Sequence, residues 1–84
     1  ILPNIMYDTY PGILRGVENV ANENGYSVII CNTDNRVEKQ SAYINKLAED
    51  NVKGIIIVPA ITGVNDLKPY GLLAEKNIPF VFCN

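Results

Sequence analysis

Three short apolar runs constrain the fold of this chain more than any other feature. They are YSVIIC at 26–31, GIIIVP at 54–59 and IPFVFC at 78–83. The first of these runs is continuous rather than alternating, which is typical of a strand covered on both faces in a parallel sheet. Ile1-Leu2 has the composition of the end of another strand. Because helical patterns separate the runs, the sequence predicts the order β-α-β-α-β-α-β.

Each connecting stretch has the features of a helix. The first is predicted to begin near Pro11 and to end at Gly25, with an apolar face of Ile13, Leu14, Val17, Val20 and Ala21. Asn35 is predicted to be the N-cap of the second, with Glu38 three residues later. Its predicted buried face consists of Val37, Ile44, Leu47 and Ala48. A shorter third helix follows Asn65-Asp66 and carries Leu67, Tyr70, Leu73 and Ala74.

This alternation predicts an α/β fold with a parallel sheet, helices on both faces and right-handed crossovers. In such sheets, ligands bind beyond the carboxyl ends of the strands. The polar tract Asn32 to Asn35 directly follows the second predicted strand and therefore lies at that edge. Turn and capping chemistry is the simpler explanation of these four residues.

Composition excludes several function classes. The 84 residues suffice for one domain, and seven basic against nine acidic residues give a net charge of −2. No basic cluster suited to a phosphate backbone is present. The chain has no histidine, and its two cysteines, Cys31 and Cys83, are far apart and are expected in the core rather than in a disulfide. No stretch approaches the roughly 18 apolar residues of a membrane span.

No catalytic constellation stands out in the sequence. The chain lacks the glycine-rich nucleotide motifs and the G-x-S-x-G elbow, so neither an enzyme nor a cofactor is predicted. The predicted carboxyl edge instead offers side chains for binding. Tyr7, Asp8, Thr9 and Tyr10 follow the first strand, and Asn84 ends the fourth. Aromatic faces with amide and carboxylate groups suit a sugar, although the tyrosines are equally suited to pack beneath the loop.

The segment LPNIMYDTYPGILRGVENVANENGYSVIICNTDNRVEKQ resembles the start of the effector-binding domain of LacI/GalR-family transcriptional regulators. NVKGIIIVPA and KNIPFVFCN continue the resemblance, which covers essentially the whole chain. Its specific pieces are RGVE at 15–18, Gly25-Tyr26, NTDN at 32–35, EKQ at 38–40, VKGII at 52–56 and Ile78-Pro79.

This resemblance implies one lobe of a type I periplasmic-binding-protein-like fold. Residues 1–84 would be the N-terminal lobe, a three-layer α-β-α unit whose parallel sheet has the order 2-1-3-4 with most of the first strand missing. The second lobe and the DNA-binding headpiece would lie outside the chain. The family also implies a cytoplasmic homodimer, for which Arg15, Glu18 and Tyr43 are candidate contacts.

The family's ligand positions carry over unevenly. The Asn-Pro-Phe-Phe-like stretch that lines the family's cleft matches Tyr7-Asp8-Thr9-Tyr10, which keeps one aromatic position as Tyr10. Asn84 stands where the family often has Asp. The implied function is the sensing of a small-molecule effector, a sugar, between two lobes, which modulates DNA binding through the headpiece. The alternatives are a sugar-binding receptor of a bacterial importer and, more remotely, a flavodoxin-like enzyme domain.

Overall fold

A computed structural model describes residues 1–5 and 9–83. In chain order its elements are α1 (Thr9–Glu23), α2 (Val37–Glu49), β1 (Ile55–Ile57), α3 (Lys68–Glu75) and β2 (Phe80–Phe82). β1 and β2 are parallel, with Ile55 opposite Phe80 and Ile57 opposite Phe82. The third and fourth predicted strands are therefore present in shortened form, and they are parallel as predicted.

The core lies where α2 and α3 pack on one face of β1. Its buried members are Cys31, Ile44, Leu47, Ala48, Ile55, Ile57, Leu73 and Ile78. Ile55 and Ile57 point into this core, whereas Ile56 between them is 43% exposed, as the pleat of a strand requires. The predicted buried face of the second helix is confirmed, since Val37, Ile44, Leu47 and Ala48 are all buried.

Helix α1 ends at Glu23, and Gly25 terminates it, as the sequence predicts. The Gly25 N–H donates to the Asn22 carbonyl at 3.1 Å, and the Tyr26 N–H donates to the Ala21 carbonyl at 2.8 Å. These two bonds form a Schellman motif around Gly25, which has φ +80°. Glycine suits this position because a Cβ atom disfavours the left-handed region.

The predicted burial of the α1 apolar face is wrong for the described structure. No residue of α1 is buried, and Ile13 and Val20 are 40% and 60% exposed. The helix starts at Thr9 rather than near Pro11. Its apolar side lines a large cavity that separates it from residues 26–30 and β1. The apolar face is thus present in the sequence but lacks a packing partner among the described residues.

The predicted second strand is also wrong as a regular element. Residues 26–31 form no strand, and Tyr26, Ile29 and Ile30 are 52%, 60% and 48% exposed. Only Asn32, one residue later, makes a parallel bridge, to Leu2. The physical reason is that strand geometry depends on a hydrogen-bonded neighbour, and Leu2 reaches only the last part of this segment.

Ile1 and Leu2 are hydrogen-bonded on both sides. Leu2 N–H donates to the Cys31 carbonyl at 3.0 Å, and the Ile1 amine donates to the Ile56 carbonyl at 2.9 Å. The Val58 N–H in turn donates to the Ile1 carbonyl at 2.9 Å. The first two residues therefore lie between residues 31–33 and β1. The complete three-layer sheet of order 2-1-3-4 stays a prediction.

The remaining sequence predictions concern cysteines and membranes. Cys31 is buried and Cys83 is partly buried, and both are free thiols. Burial raises the pKa of the Cys31 thiol, as expected for a core residue. Among the described residues, no helix has the length and apolar character needed to cross a membrane.

Candidate functional site

Three loops meet beyond the carboxyl ends of three neighbouring segments, namely residues 1–2, residues 26–31 and β1. We call residues 2–5, 32–36 and 58–62 the rim. The Thr33 N–H donates to the Leu2 carbonyl at 2.9 Å, and the Asn35 N–H donates to the Pro3 carbonyl at 3.2 Å. The Thr62 N–H donates to the Asn35 carbonyl at 3.0 Å. The tract at 32–35 is therefore central to the rim and connects the other two loops.

The side chains of this tract are occupied by bonds within the fold. Asn32 accepts from the Ile5 N–H through Oδ1 at 3.1 Å and donates from Nδ2 to Asp34 at 2.7 Å. Thr33 is fully buried, with its hydroxyl 3.3 Å from the Leu2 carbonyl oxygen. Asn35 accepts from the Ile61 N–H at 3.1 Å. Such bonding supports the turn-chemistry explanation of the tract over direct ligand binding.

The conformation of Asp34 and Asn35 explains why these residue types stand there. Both have positive φ, +53° and +62°. Asn and Asp tolerate the left-handed region better than other non-glycine residues. The two successive residues reverse the chain between the bridge at Asn32 and the start of α2.

The predicted N-cap at Asn35 is wrong. The N-cap of α2 is Arg36, whose side chain makes no capping bond. Instead, the Val37 N–H donates to the Thr62 carbonyl at 2.8 Å, which satisfies one of the unpaired donors of the first helical turn. The Asn35 side chain is used for Ile61 instead. A carbonyl from a distant loop thus takes the role that the local sequence assigned to a side chain.

Two exposed ion pairs flank the start of α2. Lys39 Nζ lies 2.6 Å from Asp34 Oδ2, and Arg36 lies 2.7 Å from Glu38 Oε1. The hydrogen bond from Lys39 lowers the pKa of Asp34, and the same bond raises the pKa of Lys39. The pKa of Glu38 is lowered by a hydrogen bond from its own backbone N–H and further by Arg36. These carboxylates stay ionised at neutral pH and are not suited to general acid catalysis.

A buried amide that the sequence reasoning missed supports the rim from below. Gln40 is 6% exposed and accepts from the Ala60 N–H through Oε1 at 2.7 Å. Its Nε2 donates to the Tyr70 hydroxyl at 2.9 Å. Gln40 thereby connects α2, the segment after β1 and α3. The sequence contained a signal, because Gln40 lies three residues after Val37 and four before Ile44 on the buried stripe.

Tyr70 belongs to an aromatic cluster with Phe80 and Phe82. The ring centroids of Tyr70 and Phe82 are 5.7 Å apart in an edge-on arrangement, and those of Tyr70 and Phe80 are 5.4 Å apart. Partial burial raises the pKa of the Tyr70 hydroxyl, which stays protonated at neutral pH. Phe82 is 58% exposed and directly precedes Cys83 at the end of β2. The cluster therefore gives β2 an apolar surface near the rim.

The predicted ligand-binding residues are only partly described. Tyr7, Asp8 and Asn84 lie outside the described residues. Thr9 is exposed at the start of α1, and Tyr10 is partly buried and lines the cavity beside that helix. Their assignment as ligand contacts stays a prediction. The Cys83 N–H donates to the Ile57 carbonyl at 2.8 Å, so Cys83, directly after β2, lies beside the end of β1.

The predicted dimer contacts fall on two helices. Arg15 and Glu18 are exposed on α1, where they line a shallow depression with Pro11. Tyr43 on α2 is partly buried and packs against the core, so less of its ring is available to a partner than the sequence suggested. Their role in an interface stays a prediction.

The described part of the chain offers no arrangement for metal chemistry. Among residues 1–5 and 9–83, no three His, Cys, Asp or Glu side chains are grouped closely enough to hold an ion.

Those same residues contain two helices before β1, separated by residues 24–36. A DNA-binding helix-turn-helix joins its helices by a turn of about three or four residues, and this pair does not have that geometry.

Comparison with known proteins identifies relatives among bacterial regulators. The chain is 35% identical over 81 residues to the ribose operon repressor of Halalkalibacterium halodurans, covering 96% of this chain and 23% of the relative. It is 40% identical over 83 residues to the HTH-type transcriptional regulator RegA of Clostridium acetobutylicum, with the same two coverages. It is 41% identical over 70 residues to the HTH-type transcriptional repressor PurR of Photorhabdus laumondii, covering 82% of this chain and 20% of that protein.

The chain spans about a quarter of the length of the curated relatives it matches. No family model matches the sequence. No solved structure gives a significant match. The chain is thus homologous to a segment of transcriptional regulators, and these relatives are regulators rather than enzymes, in agreement with the prediction that no enzyme is present.

Proposed function

We propose that this chain is the N-terminal lobe of the effector-binding domain of a LacI/GalR-type transcriptional regulator. The observation that carries the proposal is the match to regulators over 96% of the chain, at 35% and 40% identity. The alternative of an importer's sugar receptor has the same fold, but the relatives are transcriptional regulators.

The structure supports an effector lobe rather than a DNA-binding segment. Parallel strands with loops gathered beyond their carboxyl ends are the usual setting of a small-molecule site in open α/β sheets. DNA recognition, in contrast, requires basic surface, and this chain has a net charge of −2. DNA contact would therefore come from a headpiece elsewhere in the protein.

The proposed effector is a sugar. Two relatives, from Halalkalibacterium halodurans and Bacillus subtilis, are repressors of the ribose operon. The proposed contacts from this lobe are Tyr7, Asp8, Thr9, Tyr10 and Asn84. Aromatic rings stack on the C–H faces of a sugar, while amide and carboxylate groups bond its hydroxyls.

The proposed mechanism is a population shift between lobe arrangements. The effector would favour one arrangement by binding it more tightly, and the difference would reach the DNA-binding part of a cytoplasmic homodimer. The rim bonds of Asn32 to Asn35 fit this role, since they hold the loops of the lobe in fixed relation while the lobe moves as a unit. Arg15, Glu18 and Tyr43 stay the proposed dimer contacts.

Calorimetric titration of the full-length protein with D-ribose tests the proposal. Losing a buried hydrogen-bonding partner costs about 1–3 kcal/mol, so Asn84→Ala should weaken binding by roughly 5- to 150-fold. Tyr10→Ala should also weaken it through lost contact area. Asn45→Ala is the matched control, because Asn45 is an exposed amide on α2. Equal affinities for all three variants would refute the site, and the absence of any D-ribose binding to the wild type would refute ribose as effector.

A further inference from the structure

The side chain at the end of β2 lies largely outside the core. None of the three β2 side chains is buried, and Phe82 is 58% exposed. Along one edge, backbone pairing fixes the strand to β1, with Phe82 opposite the fully buried Ile57. On its face, the Phe82 ring lies against the rings of Tyr70 and Phe80, at centroid distances of 5.7 and 5.9 Å. The position of this strand end therefore depends on Tyr70 as well as on β1.

Tyr70 is itself fixed through its hydroxyl group. The Ala60 N–H donates to Gln40 Oε1 at 2.7 Å, so the amide oxygen of Gln40 faces Ala60 and its NH₂ group faces the other way. Gln40 Nε2 then donates to the Tyr70 hydroxyl at 2.9 Å. Because Gln40 is only 6% exposed, little water competes for these two bonds. The orientation of the Tyr70 ring is thus set by an amide that is itself oriented by the backbone after β1.

These contacts form one continuous connection between the ends of β1 and β2. It runs from the Ala60 N–H through the side chains of Gln40 and Tyr70 to the ring of Phe82. The Cys83 N–H, directly after Phe82, donates to the carbonyl of the last β1 residue at 2.8 Å and closes the connection. A tyrosine suits the middle of this path, because its ring packs on apolar groups while its hydroxyl takes a polar partner.

We propose that Tyr70 is a positioning residue of the effector site, which fixes the end of β2 relative to the segment after β1. The inference rests on the proposed function, in which Asn84, the next residue in the sequence after Cys83, binds the effector. Binding residues must be held within about 0.5 Å of their productive geometry by the side chains behind them. Tyr70 supplies this support through the backbone of β2 and not by touching the effector.

Amide exchange of the unliganded full-length protein tests the positioning directly. Tyr70→Leu removes the ring contacts, whereas Gln40→Met releases the hydroxyl and retains the ring. Each change should accelerate exchange of the Cys83 amide by roughly 2- to 12-fold, the factor expected from one lost hydrogen bond or aromatic contact. Tyr70→Phe removes the same bond as Gln40→Met, so the double variant of these two changes should exchange no faster at Cys83 than Gln40→Met alone.

Two controls separate positioning from a general loss of stability. Tyr26→Phe also removes a tyrosine hydroxyl, and because Tyr26 is 52% exposed, exchange at Cys83 should stay as in the wild type. The Leu2 amide, which donates to the Cys31 carbonyl on the other side of β1, is the internal reference. General destabilisation would accelerate exchange of the Leu2 and Cys83 amides alike, whereas loss of positioning accelerates Cys83 alone.

Calorimetric titration of the same variants with D-ribose tests the consequence for the site. Tyr70→Leu and Gln40→Met should each weaken binding by roughly 2- to 12-fold, and Tyr26→Phe should leave it unchanged. Exchange at Cys83 no faster in either variant than in Tyr26→Phe would overturn the proposal, whether or not D-ribose binds. Faster exchange at Cys83 with unaltered D-ribose affinity would overturn it as well. Faster exchange at Cys83 in a protein whose wild type does not bind D-ribose would support the positioning and refute only ribose as effector.

Discussion

Replacing Gln40 by methionine tests whether the buried amide holds the segment after β1 in place. Methionine has a similar length, so the change removes both hydrogen bonds while it retains most of the packing. Gln40 is 6% exposed and Ala60 is 5% exposed, so water does not readily replace the lost bond to the Ala60 N–H. The Tyr70 hydroxyl, which is only partly buried, can be rehydrated.

The magnitude follows from the Ala60 N–H. A buried donor left without an acceptor costs about 1–3 kcal/mol, which corresponds to roughly 5- to 150-fold in a local opening equilibrium. Amide exchange of the full-length protein, read on short peptides covering residues 58–62, should accelerate by that factor in Gln40→Met. Tyr70→Phe should have a smaller effect, because the bond between Ala60 and Gln40 survives.

Asn45→Ala, on the exposed side of the same helix, is the control and should leave the exchange at 58–62 unchanged. Exchange of the Ala60 amide within twofold of wild type in Gln40→Met would refute the reasoning. It would mean that the other hydrogen bonds of the segment, which include those of Ile61 and Thr62, are sufficient to hold it.

Two further changes test local interactions. Gly25→Ala places a Cβ at φ +80° and should destabilise the protein by about 1 kcal/mol, measured as a lower urea midpoint; an unchanged midpoint would contradict the C-cap assignment. Because Lys39 lowers the pKa of Asp34 in the folded state, Asp34 stabilises the fold above its ordinary pKa of about 4, and this contribution is lost as the pH falls through the lowered value. The free energy of unfolding should therefore fall less between pH 6 and pH 2 in Asp34→Asn than in the wild type. Glu75→Gln, which changes an exposed carboxylate, is the control and should have a smaller effect. An equal fall in both variants would contradict the role of the ion pair.

The sequence predicted the features that depend on local chemistry. The buried face of α2 follows from helical spacing, and the end of α1 follows from one glycine, Gly25. The pairing of β1 with β2 follows from two continuous apolar runs separated by a helix. In the first two cases the physical cause lies within a few residues of the effect, whereas the strand pairing follows from the strand–helix–strand order of the chain.

The predictions that failed depend on distant partners. Residues 26–31 have the composition of a strand, but Leu2 is hydrogen-bonded only to residues 31 and 33. The α1 face has helical periodicity, but no described element packs against it. Asn35 has the chemistry of an N-cap, but the Thr62 carbonyl takes that role and frees the Asn35 amide for Ile61. Local propensity does not specify which distant group competes for a donor or a surface.

Amide exchange of the full-length protein with and without D-ribose tests the central claim, that this segment is an effector-sensing lobe. The account predicts that D-ribose slows exchange in peptides covering residues 1–10 and 80–84, at the carboxyl ends of the first and fourth strands, while duplex DNA added alone gives no direct protection there. Protection of residues 1–84 by DNA, or D-ribose protection confined to other parts of the protein, would contradict it.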